Sequence, residues 1–319
     1  MNVLLPGIAQ GSNYLGLRRS INRTRISVVI PTYKREAVLL NTIRDLLALD
    51  LGAEEILIVD QTEMHSPETI ESLSALNRAK KIRWLRMSAP SITAAMNEGL
   101  KKANGDVVLF LDDDIIPSEN LVGAHALGHE NGAKIVAGQV LQPGEEPEPE
   151  LDGANKFQFR SSTPRLISEF MGGNFSINRQ FALALGGFDE NFVHVAYRFE
   201  AEFAARAIAA GEKIMFEPEA SIRHLKSASG GTRSYGHHLT TVKPSHSVGE
   251  YYYLLHGKGV RHRVQKIINR AFRAIRTTHH LTRPWWIPVT LTAESLGFVW
   301  ALGLALRGPR LISNNNKLP

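Results

Sequence analysis

The chain has 319 residues, of which 43% are hydrophobic and 21% charged, a composition that excludes global disorder and allows one large domain with an appendage. It contains no cysteine, which excludes disulfides, thiolate metal sites and cysteine nucleophiles and favours a reducing compartment. The net charge of +6 is uneven, because the last 100 residues hold 15 Lys+Arg against 2 Asp+Glu. This basic segment predicts an anionic partner (a membrane surface, a nucleic acid or a phosphorylated substrate), unless it is simply solvated.

The first third of the chain alternates strand-like and helix-like segments. Residues 1–20 lack the continuous apolar core of a signal peptide, and we interpret residues 1–24 as a leader. The apolar run Ile26–Tyr33 predicts a buried strand, and a second strand ends at Asp60. The other predicted elements are helices over residues 35–49, 66–79 and 91–105 and strands over 81–87 and 107–111. This alternation predicts a parallel sheet covered by helices on both faces.

The stretch GDVVLFLDDDIIP, Gly105–Pro117, ends an apolar strand in three adjacent aspartates, Asp112–Asp114. Like charges this close repel one another, and the repulsion grows as the local dielectric falls. A divalent cation with oxygen ligands would relieve the repulsion, whereas the alternative is that the aspartates cap a following helix. Because ligands of open α/β sheets bind at the carboxyl ends of the strands, this triplet and Asp60 predict a ligand crevice there.

The middle of the chain contains an irregular excursion and further α/β elements. Residues 142–165 are rich in proline and acidic residues and predict a surface excursion. Phe170–Phe192 predicts a turn, a strand, a helix and a loop, and Tyr197–Pro218 contains a helix that ends at Gly211. The residues of this last helix that we expect to face the core are Phe203, Ala204, Ala207 and Ile208.

Five motifs occur in order over about residues 25–225: VVIPTYKRE, ILIVDQT, ITAAMNEGLKKANGDVVLFLDDDIIP, GGNFSINRQFALALGGFDENF and FEAEFAARAIAAG. Together they resemble family-two glycosyltransferases, which are inverting, nucleotide-sugar-dependent enzymes. The resemblance implies an α/β GT-A fold, Rossmann-like, with a mostly parallel sheet and helices on both faces. It implies a catalytic domain at residues 25–230. The composition of residues 231–319 itself predicts a basic, mainly helical region that is membrane-associated.

The resemblance also implies an activity: an inverting, hexosyltransferase-type glycosyltransferase that moves a sugar from a nucleotide-diphosphate donor to a hydroxyl of a glycan or lipid-linked acceptor, as in polysaccharide biosynthesis. Asp112 resembles the first aspartate of the family's DxD motif, and Asp114 resembles its metal ligand. Asp112 and His224 would complete the ligand set for Mn²⁺ or Mg²⁺, and Asp112 and Asp113 would contact the donor. The metal would neutralise the charge that gathers on the leaving diphosphate.

Asp60 resembles the family's carboxylate that accepts a hydrogen bond from the nucleotide base, although DQTE stands here where the family often has DDGS or DNGS. The residues expected to wall the nucleotide pocket end the first strand: Pro31, Thr32 and Tyr33. Lys34 and Arg35 either meet phosphate or are solvated. Residues 226–238, KSASGGTRSYGHH, predict a mobile loop that closes over the donor phosphates.

Inverting transfer needs a general base, which the family supplies from an acidic stretch that opens a helix. That stretch is FEAE here, so Glu200 takes the base position, Phe199 replaces the usual preceding glutamate, and Glu202 is the alternative base. Two residues apart on a helix, the two glutamates point about 200° from each other, so only one is expected to face the site. On the acceptor side the resemblance implies roles for Gly173, whose backbone would approach a sugar, and for Asn174.

The basic C-terminal region carries two membrane signals. Lys258–Arg276 predicts a basic amphipathic helix, which either lies on an anionic membrane or packs on the catalytic domain. Trp285–Leu306 has the length of a membrane span, but Glu294 in its middle would cost on the order of 3 kcal/mol. We therefore expect a cytoplasmic protein, peripheral at the inner membrane face, with a single span over residues 285–306 as the alternative.

Two other function classes fit part of the sequence. A nucleotidyltransferase also uses strand-end carboxylates and a metal, but it typically has a glycine-rich loop after the first strand, where this chain reads TYKRE. A non-catalytic sugar- or nucleotide-binding protein on the same fold would explain the altered FEAE stretch. We expect no nucleic-acid partner, because no recognised binding module is present.

Overall fold

The computed structural model describes residues 24–149, 157–257 and 260–312. Apart from Thr24, the predicted leader lies outside the described residues. The strands are β1 (Ile26–Thr32), β2 (Glu55–Asp60), β3 (Arg83–Arg86), β4 (Val107–Leu111), β5 (Ile115–Pro117), β6 (Ile135–Leu141), β7 (Arg165–Ile167), β8 (Asn174–Asn178) and β9 (Ile214–His224). The helices are α1 (Ala37–Leu47), α2 (Pro67–Arg78), α3 (Ile92–Lys102), α4 (Leu121–Glu130), α5 (Arg179–Ala184), α6 (Phe199–Ala209), α7 (Val248–His256), α8 (Arg263–Ile275), α9 (Thr278–Thr282) and α10 (Ile287–Arg307).

The strands form one mixed sheet in the order β3-β2-β1-β4-β8-β6-β9-β5, and β7 pairs with β9. Strands β3, β2, β1 and β4 are parallel to one another, as the alternating pattern predicts. Strand β8 then runs antiparallel to both β4 and β6. The arrangement confirms the predicted α/β class with its Rossmann-like half.

Local sequence signals explain most helix boundaries. The Ser66 hydroxyl accepts from the Thr69 N–H at 3.3 Å, and Pro67, whose ring suits the first turn of a helix, is the first residue of α2. Ser91 caps α3 in the same way. The prediction that Ile208 faces the core is wrong, because its side chain points to solvent from the last turn of α6.

The two faces of the sheet are covered by separate hydrophobic clusters. Along β1, Val29 belongs to one cluster, whereas Val28 and Ile30 belong to the other, because successive side chains point to opposite faces. The first cluster includes apolar side chains of α3, α5 and α6, and the second includes those of α1, α2 and α4. Both faces are therefore buried, which explains the continuous apolar runs of β1, β2 and β4.

The C-terminal helices α7 and α10 share the first of these clusters. Tyr252 of α7 and Ala301 of α10 are fully or almost fully buried within it. Glu294, 7% exposed, receives two hydrogen bonds from Arg270 of α8 at 3.0 and 3.1 Å and one from the Tyr251 hydroxyl at 2.8 Å. The charge that argued against a membrane span is thus paired inside the protein.

Helix α8 has an orientation that its sequence does not reveal. Its Arg270 points inward to Glu294, while Val264, Ile268 and Phe272 of its apolar stripe are 71%, 46% and 54% exposed. A helix on the surface of a soluble protein normally has the opposite arrangement. By length and composition the helical segment Pro284–Arg307 could cross a membrane, a test that the core helix of a soluble protein also passes.

Candidate active site

A cavity of about 640 Å³ opens at the carboxyl ends of β1 and β4, where the sequence predicted a ligand crevice. Its size falls in the ordinary range for small-molecule sites. Among the predicted site residues, those that line it are Pro31, Thr32, Tyr33, Asp112, Asp113, Asp114, Gly173, Glu200 and His224. The lining does not include Asp60, Asn174 or Glu202.

Asp112, Asp114 and His224 converge on one point of this cavity. One ligand atom from each lies within 4.8 Å of the others. The His224 Nε2 atom is 3.2 Å from Asp114 Oδ1 and 3.7 Å from Asp112 Oδ2. The antiparallel pairing of β5 with β9 sets this geometry, because it places Ile115 opposite His224. Half of the Asp112 side chain is exposed, so the cluster opens toward the cavity.

Asp114 is held in position by groups behind it. Its Oδ2 atom accepts from the Ser227 N–H at 2.8 Å and from Arg35 Nη2 at 3.3 Å, which leaves Oδ1 facing His224. Burial acts to raise the pKa of Asp114, but the hydrogen bond and charge of His224 and the Ser227 N–H outweigh it and lower the pKa. Burial likewise acts to lower the pKa of His224, and the two carboxylates outweigh it and raise the pKa.

Arg35 is a site residue whose role the sequence left open. It is buried, its Nε lies 3.1 Å from Asp113 Oδ1, and its Nη1 donates to the Ser229 carbonyl. The arginine therefore neutralises part of the aspartate triplet and fastens the loop after β9 to the end of β1. The signal in the sequence was its position directly after the first strand, opposite three aspartates that need a positive charge.

Asp113 turns away from the open part of the cavity. Besides Arg35, it accepts a hydrogen bond of 2.6 Å from the Thr32 hydroxyl. Burial raises the pKa of Asp113 to about 7, although Arg35 and Thr32 act in the opposite direction. Both carboxylate oxygens contact protein groups, so Asp113 and Thr32 tie β4 to β1 beneath the site.

The structure does not bring Asp60 to the cavity, because its carboxylate is fully buried. It accepts from the Thr62 N–H at 2.8 Å and from Trp84 Nε1 at 2.9 Å, and it lies 2.9 Å from His65 Nε2. The next residue, Gln61, lines the cavity instead. The expected contact between Asp60 and the base therefore has no free carboxylate oxygen in this structure.

Gly173 and Asn174 have different environments although they are neighbours. A Cβ atom on Gly173 would lie 2.2 Å from Asp112 Oδ2, so any other residue there would displace the Asp112 carboxylate. Asn174 is fully buried: its Nδ2 donates to the Gln139 and Ala220 carbonyls, and its Oδ1 lies 2.9 Å from His125 Nε2. In this structure the Asn174 side chain therefore joins β6, β9 and α4 and does not line the cavity.

The two candidate bases point in different directions. Glu202 is buried and makes a two-fold ion pair with Arg206 at 2.7 and 2.8 Å, one turn further along α6. Arg206 also donates to the Leu185 and Gly187 carbonyls, so this pair fixes the start of α6 to the preceding loop. Glu200 lines the cavity instead.

Glu200 occupies a site that favours its neutral form. Burial, and to a smaller extent the charge of Asp112, raise the pKa of Glu200 to about 7, against a hydrogen bond from the Gly172 backbone. A Cβ atom on Gly172 would lie 3.0 Å from Glu200 Oε1, just as one on Gly173 would meet Asp112. Because Gly172 and Gly173 have no side chains, the Glu200 carboxylate and the cluster that contains Asp112 have room to face the same cavity.

The segment that leads into α6 is strained. His194, Ala196 and Arg198 have φ values of 58°, 54° and 77°, in the left-handed region that residues other than glycine avoid. Such strain concentrates at functional sites. This segment forms a wall of the cavity, and the His194 ring stacks on Tyr235 of the loop after β9 at 4.9 Å.

Comparison with known proteins agrees with this architecture. The model of glycosyl transferase family 2 matches residues 27–186, half of the chain, and the chain belongs to this family. A probable glycosyltransferase of Bacillus subtilis, YdaM, is 24% identical over 248 residues, covering 65% of this chain and 54% of its own. The poly(ribitol-phosphate) beta-glucosyltransferase of Bacillus spizizenii is 32% identical over 127 residues, covering 36% of this chain and 19% of its own.

The chain matches only part of the length of these curated relatives, from 16% of an uncharacterized glycosyltransferase of Rickettsia conorii to 54% of YdaM. Among solved structures, the chain resembles S. aureus TarS in complex with UDP-GlcNAc, with a TM-score of 0.56 and 16% identity over 88% of this chain and 80% of that one. GalNAc-T7 with UDP, GalNAc and Mn²⁺ gives a TM-score of 0.59 and 12% identity over 89% and 57%. At these identities the likeness shows the GT-A fold.

Proposed function

We propose that this glycosyltransferase is an inverting, metal-assisted enzyme that transfers a hexose from a nucleoside-diphosphate sugar to a hydroxyl of a glycan or lipid-linked acceptor. The observation that carries the proposal is the pairing of Glu200 with the cluster of Asp112, Asp114 and His224 across one cavity. The cavity thus offers a candidate proton acceptor beside Gly172 and a candidate cation-binding cluster beside Gly173.

The residues of the cluster fit a divalent cation. Two carboxylate oxygens and one imidazole nitrogen suit Mn²⁺, and Mg²⁺ suits the carboxylates. Asp114 would be the best-oriented ligand, because the Ser227 N–H and Arg35 hold its other oxygen. When bound, the cation would supply Lewis-acid neutralisation of the leaving diphosphate. Lys226 and Arg233, exposed at the cavity mouth, would add positive charge near the phosphates.

In the proposed reaction, Glu200 accepts the proton of the acceptor hydroxyl as that oxygen forms a bond to the anomeric carbon of the donor. The bond between the anomeric carbon and the diphosphate oxygen breaks at the same time, and the nucleoside diphosphate leaves. The raised pKa of Glu200, about 7, suits a base that works near neutral pH. The base cannot be Glu202 in this geometry, because Arg206 occupies both of its oxygens.

The solved relatives support a nucleotide-sugar donor. TarS was solved with UDP-GlcNAc, and a mannosyltransferase from Pyrobaculum calidifontis (TM-score 0.52, 16% identity, covering 92% of this chain and 85% of that one) with GDP-Man and Mn²⁺. Pro31 and Tyr33 line the part of the cavity nearest Gln61, and we place the nucleotide there. In this placement Gln61 replaces Asp60 as the polar residue beside the base.

We further propose that the enzyme works at an anionic membrane surface, as a peripheral protein. The support is the exposed apolar stripe of α8 together with α10, whose outward face carries no charged side chain from Leu291 to Leu306. Residues 260–312 hold nine Arg and Lys against one Glu, which complements an anionic bilayer. The packing of α10 on α7, with Glu294 paired to Arg270, favours a helix that lies on the membrane over one that crosses it.

Calorimetric titration of UDP, GDP and dTDP, with and without Mn²⁺, tests the donor and metal assignments. We expect metal-dependent binding of one nucleotide by the purified protein and loss of the metal dependence in Asp114→Ala. Equal binding with and without Mn²⁺ would remove the metal from the proposal. Binding of none of the three would favour a non-nucleotide ligand and overturn the proposed transfer.

A further inference from the structure

A second, smaller cavity of about 270 Å³ adjoins the first one. Tyr197 and Arg198 line both cavities, so the strained segment before α6 is the partition between them. Gly249 of α7 braces this partition, since a Cβ there would lie 2.4 Å from the Tyr197 carbonyl oxygen. Glu200 follows this partition by two residues, so the second cavity lies beside the segment that carries Glu200 into the first.

The lining of the second cavity has an excess of positive charge. Its cationic side chains are Arg198, Lys243, Arg270 and Arg273, and its acidic ones are Glu250 and Glu294. Both acids are already paired, Glu250 with Arg198 at 3.1 Å and Glu294 with Arg270 at 3.0 Å. Within the described residues, no carboxylate lies within ion-pair distance of Lys243 or Arg273. These two cations are therefore available to an anionic ligand.

Two histidines that line the cavity have pKa values affected by this positive charge. His238 and His246 belong to the lining, and their rings lie 5.7 Å apart. Burial lowers the pKa of both rings, and the charge of Arg270 lowers each further. The neutral imidazole rings offer hydrogen-bonding nitrogens and bring no negative charge to the cavity. The cavity thus combines two unpaired cations with polar groups, the chemistry that recognises phosphate.

We propose that this second cavity binds a phosphate ester, so that a phosphorylated acceptor is held there while its hydroxyl reaches Glu200. The inference rests on the proposed glycosyl transfer and adds a chemical class to its acceptor. The position of the cavity supports it, because α8, with its exposed apolar stripe, supplies Arg270 and Arg273. A phosphate carried by a lipid at the membrane surface would meet these arginines next to the partition.

Lysine footprinting tests the proposal without knowledge of the whole acceptor. The full chain is acetylated with the N-hydroxysuccinimide ester of acetic acid, and the rate at each lysine is followed by mass spectrometry. Lys243 reports on the second cavity, Lys226 reports on the donor side of the first, and exposed Lys101 on α3 is the reference. The phosphate probe is inorganic pyrophosphate, compared with chloride at the same ionic strength.

We expect pyrophosphate at ten times its Kd to slow acetylation of Lys243 about tenfold and to leave Lys101 unchanged. Arg273→Ala should weaken this protection about tenfold, because a charge-assisted contact is lost. Arg261→Ala is the matched control: it removes an exposed arginine close to α8 that does not line the cavity. Protection that persists unchanged in Arg273→Ala would overturn the proposal, and so would the absence of protection by any phosphate probe.

Vesicles distinguish the two sources of the phosphate. If pyrophosphate protects Lys243, the ligand is the phosphate of an acceptor that needs no bilayer. If only phosphatidylglycerol vesicles protect it, in a manner lost in Arg273→Ala and retained in Arg261→Ala, the phosphate ester is a lipid headgroup. Protection of Lys226 by a nucleoside diphosphate with Mn²⁺ is a separate readout. If the nucleoside diphosphate with Mn²⁺ does not protect Lys226, this result counts against the proposed transfer, whatever is found at Lys243.

Discussion

The strand-end carboxylates and the C-terminal helices use charge in opposite ways. At the end of β4, three aspartates and Arg35 converge around a cavity, and one side of the cluster stays open. In α8 and α10, the charges of Arg270 and Glu294 turn inward and neutralise each other, while apolar side chains face outward. The first region leaves carboxylates open to the cavity, whereas the second buries its own charges and presents an apolar surface.

This difference shows that a charged residue in the sequence indicates a ligand site only when neighbouring side chains leave part of it unpaired. A buried ion pair such as Arg270–Glu294 satisfies itself, and breaking it by removing one partner is costly. The aspartate cluster instead has one side open to the cavity, where a cation from solution could reach Asp112, Asp114 and His224. The following expectations test each side of the comparison.

Removal of the cluster should have the largest effect. We expect Asp114→Ala to lower transfer on the order of 10³-fold, because the leaving diphosphate loses its counter-charge. Asp106→Asn is the matched control: it removes an exposed aspartate that pairs with Arg25 outside the cavity, and it should leave transfer unchanged. Initial rates with the nucleotide sugar found by titration are the measurement. Comparable losses in both variants would mean that the cluster has no special role.

The two glutamates of α6 should separate catalysis from stability. We expect Glu200→Gln to lower transfer on the order of 10²–10⁴-fold while donor binding is retained. Glu202→Gln should instead lower the free energy of unfolding by about 3 kcal/mol, because Arg206 loses its charged partner, with transfer by the folded protein preserved. Transfer assays and denaturant unfolding of both variants are the measurement. An active Glu200→Gln protein would assign the base elsewhere.

Arg35 joins the aspartate cluster to the loop after β9. We expect Arg35→Met to weaken Mn²⁺ binding about 10–100-fold, because Asp114 loses a group that orients its carboxylate. Arg179→Met, which removes an arginine that donates to the Leu100 carbonyl away from the cavity, is the control. Titration of Mn²⁺ into both variants gives the comparison. Unchanged Mn²⁺ affinity in Arg35→Met would show that the arginine serves the loop after β9 alone.

The pH profile should report the environment of Glu200. The pKa of its carboxyl is raised to about 7, and the base must be deprotonated, so kcat/KM should fall about tenfold for each pH unit below that value. The fall should disappear from the residual activity of Glu200→Gln, which has no carboxyl to protonate. A profile that is flat between pH 5 and about 7 would place the base in a different environment.

The smallest effect is expected on the apolar surface. Phe272→Ser, at the exposed stripe of α8, should reduce binding to phosphatidylglycerol vesicles several-fold, because one large side chain no longer enters the bilayer. Met64→Ser is the control, since Met64 is 80% exposed in the loop between β2 and α2. Vesicle sedimentation compares the two. Equal binding by both variants would mean that the stripe does not meet the lipid.

The local sequence predicted the framework of the fold and part of the site. Strands β1, β2 and β4 are apolar on both faces because helices cover both faces of the sheet. The resulting continuous apolar runs can be recognised in the amino-acid sequence. The helices α2 and α3 were also predicted, and Ser66 and Ser91 cap their first turns. The position of the aspartate triplet at a strand end predicted a ligand cavity, and the structure has a cavity at that end of β4.

Only the tertiary structure decided which way particular side chains point. Asp60 and Asn174 carry the polar groups expected at a site, yet both are enclosed by donors and acceptors from strands and helices distant in sequence. Glu200 and Glu202 share one short motif, and the position of Arg206 separates the buried pair from the free carboxylate.

The same division holds for the C-terminal helices. The sequence determined that α8 is basic and amphipathic, because periodicity is a local property. It did not determine that Arg270 turns inward, since this required Glu294 of α10 to arrive 24 residues later beside Tyr251. Periodicity specifies which residues share a face of a helix. Which face becomes buried depends on the partner that the rest of the chain brings to it.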